Sequence, residues 1–272
     1  MVAREVLLDS LDALVEHASA ITVVGAQAIY LRSADVDLTV ATFTSDADFS
    51  VDPDLLESEP LLQQAMTAAG FMRKDRWPGQ WYASRRVGST TADIGVDLLV
   101  PMSVAGRPGK RGVDIPPHDK RAAGKADGLE AALLDADVMD IATLRPVGTE
   151  GHRVRSARVA GPAALLVAKA HKIAERREQL RPLENKDSGD VVRLMMATDP
   201  DDVASRFQAL LKNERTAMAT AAGIAKLRGL FGGVRTVGTL MAVKALAGDP
   251  IEDQIASVVG AYLEALPDIE DT

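Results

Sequence analysis

Near residue 160 the apolar pattern of this chain changes period, and that change limits the folds open to it. Before it, short apolar runs end at glycines and alternate with helical stretches; after Gly161-Pro162 the spacing is helical almost throughout. A chain patterned in this way reads as an α/β (α+β) domain followed by an all-α helical bundle, with boundaries at 1–158 and 159–272. Its 272 residues suffice for two such domains.

Within the first part, Leu7, Leu11, Leu14, Val15 and Ala18 share helical spacing over residues 4–18. Ile21-Thr22-Val23-Val24 reads as a buried strand that breaks at Gly25 into a helix starting Ala26-Gln27-Ala28. A strand–glycine–helix junction offers free backbone N–H groups and a positive helix end, so Gly25, Ala26 and Gln27 are candidate phosphate binders. A strand over Val36 to Val40 comes next, then Thr44-Ser45-Asp46-Ala47-Asp48-Phe49. Pro60 opens a helix with Leu62, Ala65, Met66 and Ala69 inward and Gly70 at its stop. Phe71 to Lys74 and Gln80 to Arg85 flank Trp77-Pro78-Gly79 as a hairpin, Ile94 to Pro101 reads as a strand, and 103–128 as a long loop.

Chemistry concentrates in two places. On a strand, residues i and i+2 share a face, so Asp46 and Asp48 stand side by side, where a divalent cation best relieves their repulsion. Asp97, on the Ile94 to Pro101 strand, is a third carboxylate for such a site. Asp35-Val36-Asp37 has the same spacing, but Thr44 and Ser45 precede the second pair and an apolar strand continues after it. The second place is the helix from Pro162, where Lys169, Lys172 and Arg176 fall at i, i+3 and i+7. Buried cations there need anions, either Asp187 and Asp190 or a triphosphate. Asp190 is expected to orient the lysine, because Asp187, one turn away, does not face the same cation equally well. A strand-end acid pair and a solvated cationic helix edge are the plain readings of the same residues.

Other classes fall away. The chain has no cysteine, which removes disulfides, thiolate zinc and thiol catalysis. It has no apolar run long enough for a membrane span, and acids come too early for a secretory signal, so a cytoplasmic protein is expected. Gly109-Lys110-Arg111 fails the phosphate-loop pattern, with Val104 where the first glycine belongs. His17, His118, His152 and His171 show no ligand spacing. Net charge is −8, yet Arg107 to Lys125 holds six cations against Asp114 and Asp119, compatible with a grip on RNA or nucleotide.

Four motifs in order resemble the AbiEii/MenT-like nucleotidyltransferase toxins. Val24-Gly25-Ala26-Gln27-Ala28 is similar to that family's Gly-Gly-x-Ala turn, and Thr44-x-Asp46-x-Asp48 to its Thr-x-Asp-x-Asp metal motif. Gly95-Val96-Asp97-Leu98-Leu99 resembles the third-acid strand, and Pro162 to Arg177 with Lys186-Asp187-Ser188-Gly189-Asp190 the lysine helix and the helix after it. The chain departs from the pattern at Ala26, where the second glycine, or a serine, would stand. The resemblance implies a nucleotidyltransferase domain with a mixed sheet, magnesium as cofactor and a nucleoside triphosphate as substrate. Asp46, Asp48 and Asp97 would hold Mg²⁺, with Lys169 and Asp190 also catalytic; Gly25, Ala26, Gln27, Ser45, Lys172 and Asp187 would bind nucleotide. It implies tRNA 3′ ends as acceptor and a cognate antitoxin as partner, with no membrane. A catalytically silent nucleotide binder, or a transferase acting on a protein or small molecule, stays open beside it.

Overall fold

Ile21–Val24 (β1) is buried along its whole length, as a near-continuous apolar strand in mid-sheet should be. In this computed structural model, which describes residues 2–36, 44–74, 76–106, 112–178, 185–233, 235–247, 250 and 252–269, the chain divides into two compact units. The first is Met1–Gln27, Thr44–Ala126 and Ala136–Ala160; the second is Ala28–Phe43, Asp127–Asp135 and Gly161–Thr272. Residues 37–40 of the strand expected over Val36 to Val40 lie outside the described residues, as do Arg107, Lys110 and Arg111.

The first unit is built on a mixed eight-stranded sheet among the described residues. Its further strands are β2 (Asp46–Val51), β3 (Met72–Arg73), β4 (Gln80–Val87), β5 (Thr90–Pro101), β6 (Gly124–Ala126), β7 (Ala136–Ala142) and β8 (Val154–Ala160). They run in the order β3-β4-β5-β2-β1-β8-β7, with β6 also on β5. β2 pairs with β5, and β1 with β8, in parallel; β1–β2, β4–β5 and β7–β8 are antiparallel. Along β5 the alternation is regular, with Ile94, Val96, Leu98 and Val100 buried and Asp97 between them only half-buried. Helices α1 (Val2–Ala13), α2 (Gly25–Arg32) and α3 (Leu62–Ala68) complete the picture, though α2 continues into the second unit after Gln27.

Several boundaries differ from the sequence reading. The first helix stops at Ala13, and a separate 3-10 turn covers Val15–His17. The helix after Pro60 starts at Leu62, buries Leu62 and Met66, and leaves Ala69 exposed. β5 begins at Thr90, four residues before its apolar run, because a hairpin with β4 extends it: Val87 stands opposite Thr90. The segment read as one loop contains β6, a strand of three residues too short to carry a period. The β7–β8 hairpin had no apolar signal, since Val138 and Val154 are exposed and Ile141 is the only fully buried residue of β7.

The helical part of the second unit comprises α4 (Pro162–Glu178), α5 (Asn185–Ala197), α6 (Pro200–Leu211), α7 (Ala217–Phe231), α8 (Val237–Ala245) and α9 (Glu252–Ala265). Asp199 caps α6, accepting from the N–H groups of Asp201 at 2.9 Å and Asp202 at 3.2 Å, with Pro200 at the first helical position. The start of α4 is capped from elsewhere in the chain: Asp135 accepts from the Ala164 N–H at 2.9 Å and pairs with Arg206 at 2.6 Å. Fully buried Leu166, Leu194, Phe207 and Leu227 make the core, each contributing about 1.5–3 kcal/mol. No helix among the described residues is long and apolar enough to cross a membrane.

Candidate functional site

Register decides where the three acids stand. On β2 and β5, Asp48 is the partner of Asp97 and Asp46 the partner of Gly95. Residues in register on neighbouring strands share a face and lie about 4.8 Å apart. Asp46, Asp48 and Asp97 therefore occupy one face of two adjacent strands, each half-buried, while Ala47, Phe49 and Leu98 go into the core on the other.

β1 carries the turn to this face, because Val24 pairs with Asp48 and Gly25 follows at once. Gly25 has φ +68°, and a Cβ placed on it would lie 2.0 Å from Asp48 Oδ2. Only glycine permits both that backbone and the carboxylate's close approach to the first turn of α2. Gln27 braces the same corner: its Nε2 donates to the Asp46 and Ala3 carbonyls at 3.0 Å each, and its Oε1 accepts from Arg4 at 3.0 Å. Its amide is thus engaged by protein groups, one of them the main chain at Asp46. Ala26 is buried and Ser45 exposed. The Thr44 hydroxyl bonds to Asp46 Oδ1.

Among the described residues no three His, Cys, Asp or Glu side chains gather into a ready-made metal cage. Asp46 is engaged by Thr44 while Asp48 lies against Gly25, as expected for carboxylates that repel one another. Magnesium is usually held by one or two carboxylates together with substrate phosphates, not by an all-protein cage. The donors are hard oxygens, and the glycine cradle keeps Asp48 at the turn where a phosphate would sit. The residues present fit that ion.

The second unit brings together Lys169, Lys172, Arg176, Asp187 and Asp190. Lys169 is 5% exposed, and its Nζ donates at 2.7 Å to both Asp187 Oδ1 and Asp190 Oδ2. This corrects the expectation that one of the two acids would be the better partner: at i and i+3 on α5 both point at the same ammonium. Burial alone would lower the Lys169 pKa, but the charges of Asp190 and Asp187 outweigh it and hold it above its ordinary value. Burial likewise works against ionisation of Asp187, and Lys169 and Lys172 reverse that, leaving its pKa below the usual carboxylate range. Lys172 approaches Asp187 at 3.4 Å and Arg176 at 3.8 Å. Lys172, with 47% of its side chain exposed, is the cation of this set most open to a phosphate.

Two contributors escaped sequence reasoning. Gln80 is paired with Asp97 across β4 and β5, a neighbour set by a hairpin register that no local pattern discloses. Asp135 has no motif around it, since its role depends on a helix that begins 27 residues later in the chain. In comparisons with known proteins, no family model matches this chain and no curated protein does.

Proposed function

We propose that this protein is a magnesium-dependent nucleotidyltransferase of the AbiEii/MenT-like kind, moving a nucleoside monophosphate from a triphosphate to an acceptor hydroxyl. The observation that supports this most is the Asp48–Asp97 register beside the Gly25 turn. Magnesium bound there would supply positive charge to the phosphoryl oxygens. Asp46 and Asp48 present the oxygens that hold it, and Gln27 fixes the strand end that carries Asp46. Asp97 takes the proton of the acceptor hydroxyl as its oxygen bonds to the α-phosphorus and the bond to the bridging oxygen breaks. By the resemblance Lys172 would bind nucleotide, and within its own unit Lys169 with Asp190 and Asp187 ties α4 to α5. By the resemblance, the acceptor is a tRNA 3′ end, the protein partner an antitoxin and the compartment the cytoplasm.

Purified protein incubated with each labelled NTP, Mg²⁺ and total RNA should transfer label to RNA. Transfer should vanish with a chelator and fall steeply in Asp48→Asn. Transfer that Asp48→Asn leaves intact would refute the assignment. Tight NTP binding without turnover would select the silent nucleotide binder, which the hydroxyl-free, buried Ala26 favours.

A further inference from the structure

Glycine in the middle of a strand forfeits packing and conformational order, so its presence there needs a cause. Gly124 on β6 has one, since a Cβ would lie 2.6 Å from the Pro78 carbonyl oxygen. Gly95, midway along β5, has no such cause among the described residues. Its backbone lies outside the left-handed region. Apart from its chain neighbours, the one described heavy atom within 4 Å of an added Cβ is Asp46 Cβ at 3.6 Å, an ordinary contact. The fold would accept alanine at this position, yet the chain leaves it bare on the face that carries the acids.

The register frames that bare position. Asp46 on β2 and Tyr82 on β4 are its partners on either side, and Asp93 and Asp97 share its face along β5. Two strand spacings, roughly 10 Å, separate Asp46 from Tyr82, with only backbone between them. Half-buried Tyr82 brings no atom within 4 Å of a Cβ at Gly95. Its hydroxyl instead donates to Met72 Sδ on β3 at 3.7 Å, toward the sheet edge. Asp93 accepts from Ser84 Oγ at 2.6 Å. These residues form a slot with a peptide floor at Gly95, an aromatic wall at Tyr82 and a carboxylate wall at Asp46. The surrounding carboxylates repel a phosphate from it, whereas a flat uncharged ring can stack on the tyrosine and rest on the backbone.

We propose that the Gly95–Tyr82 slot seats the base of the nucleoside triphosphate. This rests on the reading of the acid row as a nucleotidyltransferase site and adds to it the residues that grip the nucleoside end. Asp48 lies against Gly25, which puts the phosphates on the β1 side of the acids and the slot on the β4 side. A nucleotide laid across β2 and β5 in this sense has its metal between its two ends. Tyr82 supplies the stacking surface, and Gly95 supplies the clearance that a side chain would take away.

Calorimetry of the full chain with Mg²⁺ and each NTP, set beside inorganic tripolyphosphate as a probe with charge but no base, tests it. Gly95→Ala should melt at or above the temperature of the unsubstituted protein and bind NTP about tenfold more weakly. Tyr82→Leu should weaken NTP binding by a similar factor, and Tyr82→Phe, which keeps the ring, should not. None of these variants should change tripolyphosphate binding, which Asp48→Asn should lower together with NTP binding. The slot assignment alone is overturned if NTP binds no better than tripolyphosphate. It is also overturned if Gly95→Ala and Tyr82→Leu bind NTP like the unsubstituted protein while Asp48→Asn does not. A marked drop in the melting temperature of Gly95→Ala overturns it too, because the fold itself then requires the glycine. So does an effect confined to the KM of the acceptor, which gives the slot to that substrate. If the unsubstituted protein binds neither NTP nor tripolyphosphate, the nucleotidyltransferase reading falls first and this assignment falls with it.

Discussion

The acids of β2 and β5 and the lysine cluster of α4 and α5 treat charge in opposite ways. On the sheet, three carboxylates are set on one half-exposed face, and in the proposed function their value lies in what they bind. In the helices, Lys169 is sunk among acids that neutralise it, so its first consequence is structural. A group that costs stability reads as functional, and one that is internally compensated reads as architecture until shown otherwise.

Substitution separates the two. Lys169→Met should be the most damaging change to stability, about 3–5 kcal/mol, because it strands two buried carboxylates; urea unfolding followed by circular dichroism measures it, and a loss under about 1 kcal/mol would erase the contrast. Asp48→Asn should leave stability unchanged or slightly raised while lowering transfer by roughly 10²–10³-fold, read from single-turnover labelling of the folded variant. Asp135→Ala, which removes the cap of α4 and the partner of Arg206, should cost about 1–2 kcal/mol. Lys172→Ala, at an exposed cation, should shift stability by no more than about 0.5 kcal/mol yet raise the KM for NTP.

Acid sharpens the comparison further. In the first unit, His118 is buried, accepts from the Leu62 N–H at 3.1 Å, and stands 5.7 Å from the His17 ring. Burial pushes its pKa below the ordinary histidine value, against the Glu57 carbonyl and Glu59, which favour the charged ring; His17 adds to the lowering. The folded form thus binds its proton more weakly than the unfolded form. The stabilisation is present above the unfolded value of about 6.5 and is lost as pH falls through the lower folded value. Asp187 is also depressed, but from about 3.9, so its contribution survives to much lower pH. Both tryptophans, Trp77 and Trp81, belong to the first unit. Urea midpoints read by tryptophan fluorescence should therefore drop between neutral pH and about pH 5, and His118→Asn should remove much of that drop. A midpoint that stays level would refute the histidine account.

How much of this the sequence disclosed follows from where the signal is stored. β1, the Gly25 break, the acid pair and the helices after Pro162 are local patterns of burial and punctuation, and these were legible. The face shared by Asp46 and Asp48 was read from period alone; that Asp97 stands on it needs register, and strand partners must be known before register can be. Gln80 went unnoticed for that reason: its place beside Asp97 comes from the β4–β5 hairpin register. The β7–β8 pair was invisible because its exposed Val138 and Val154 contradict the usual inward apolar pattern. Gln27 was legible as a residue of the turn but not as a brace, since its partners Ala3 and Asp46 lie 24 and 19 residues away.

The capping of α4 by Asp135 carries a practical consequence for anyone dividing the molecule. A fragment begun at 159 would leave behind the carboxylate that closes its first helix and engages Arg206, and also Tyr30, over whose ring Arg193 lies at 5.9 Å. The helical half is not autonomous by linear cutting; it borrows from two earlier stretches of the polypeptide. Co-expression of complementary pieces, or a circular permutant that keeps those stretches with it, is the route by which it can be obtained intact.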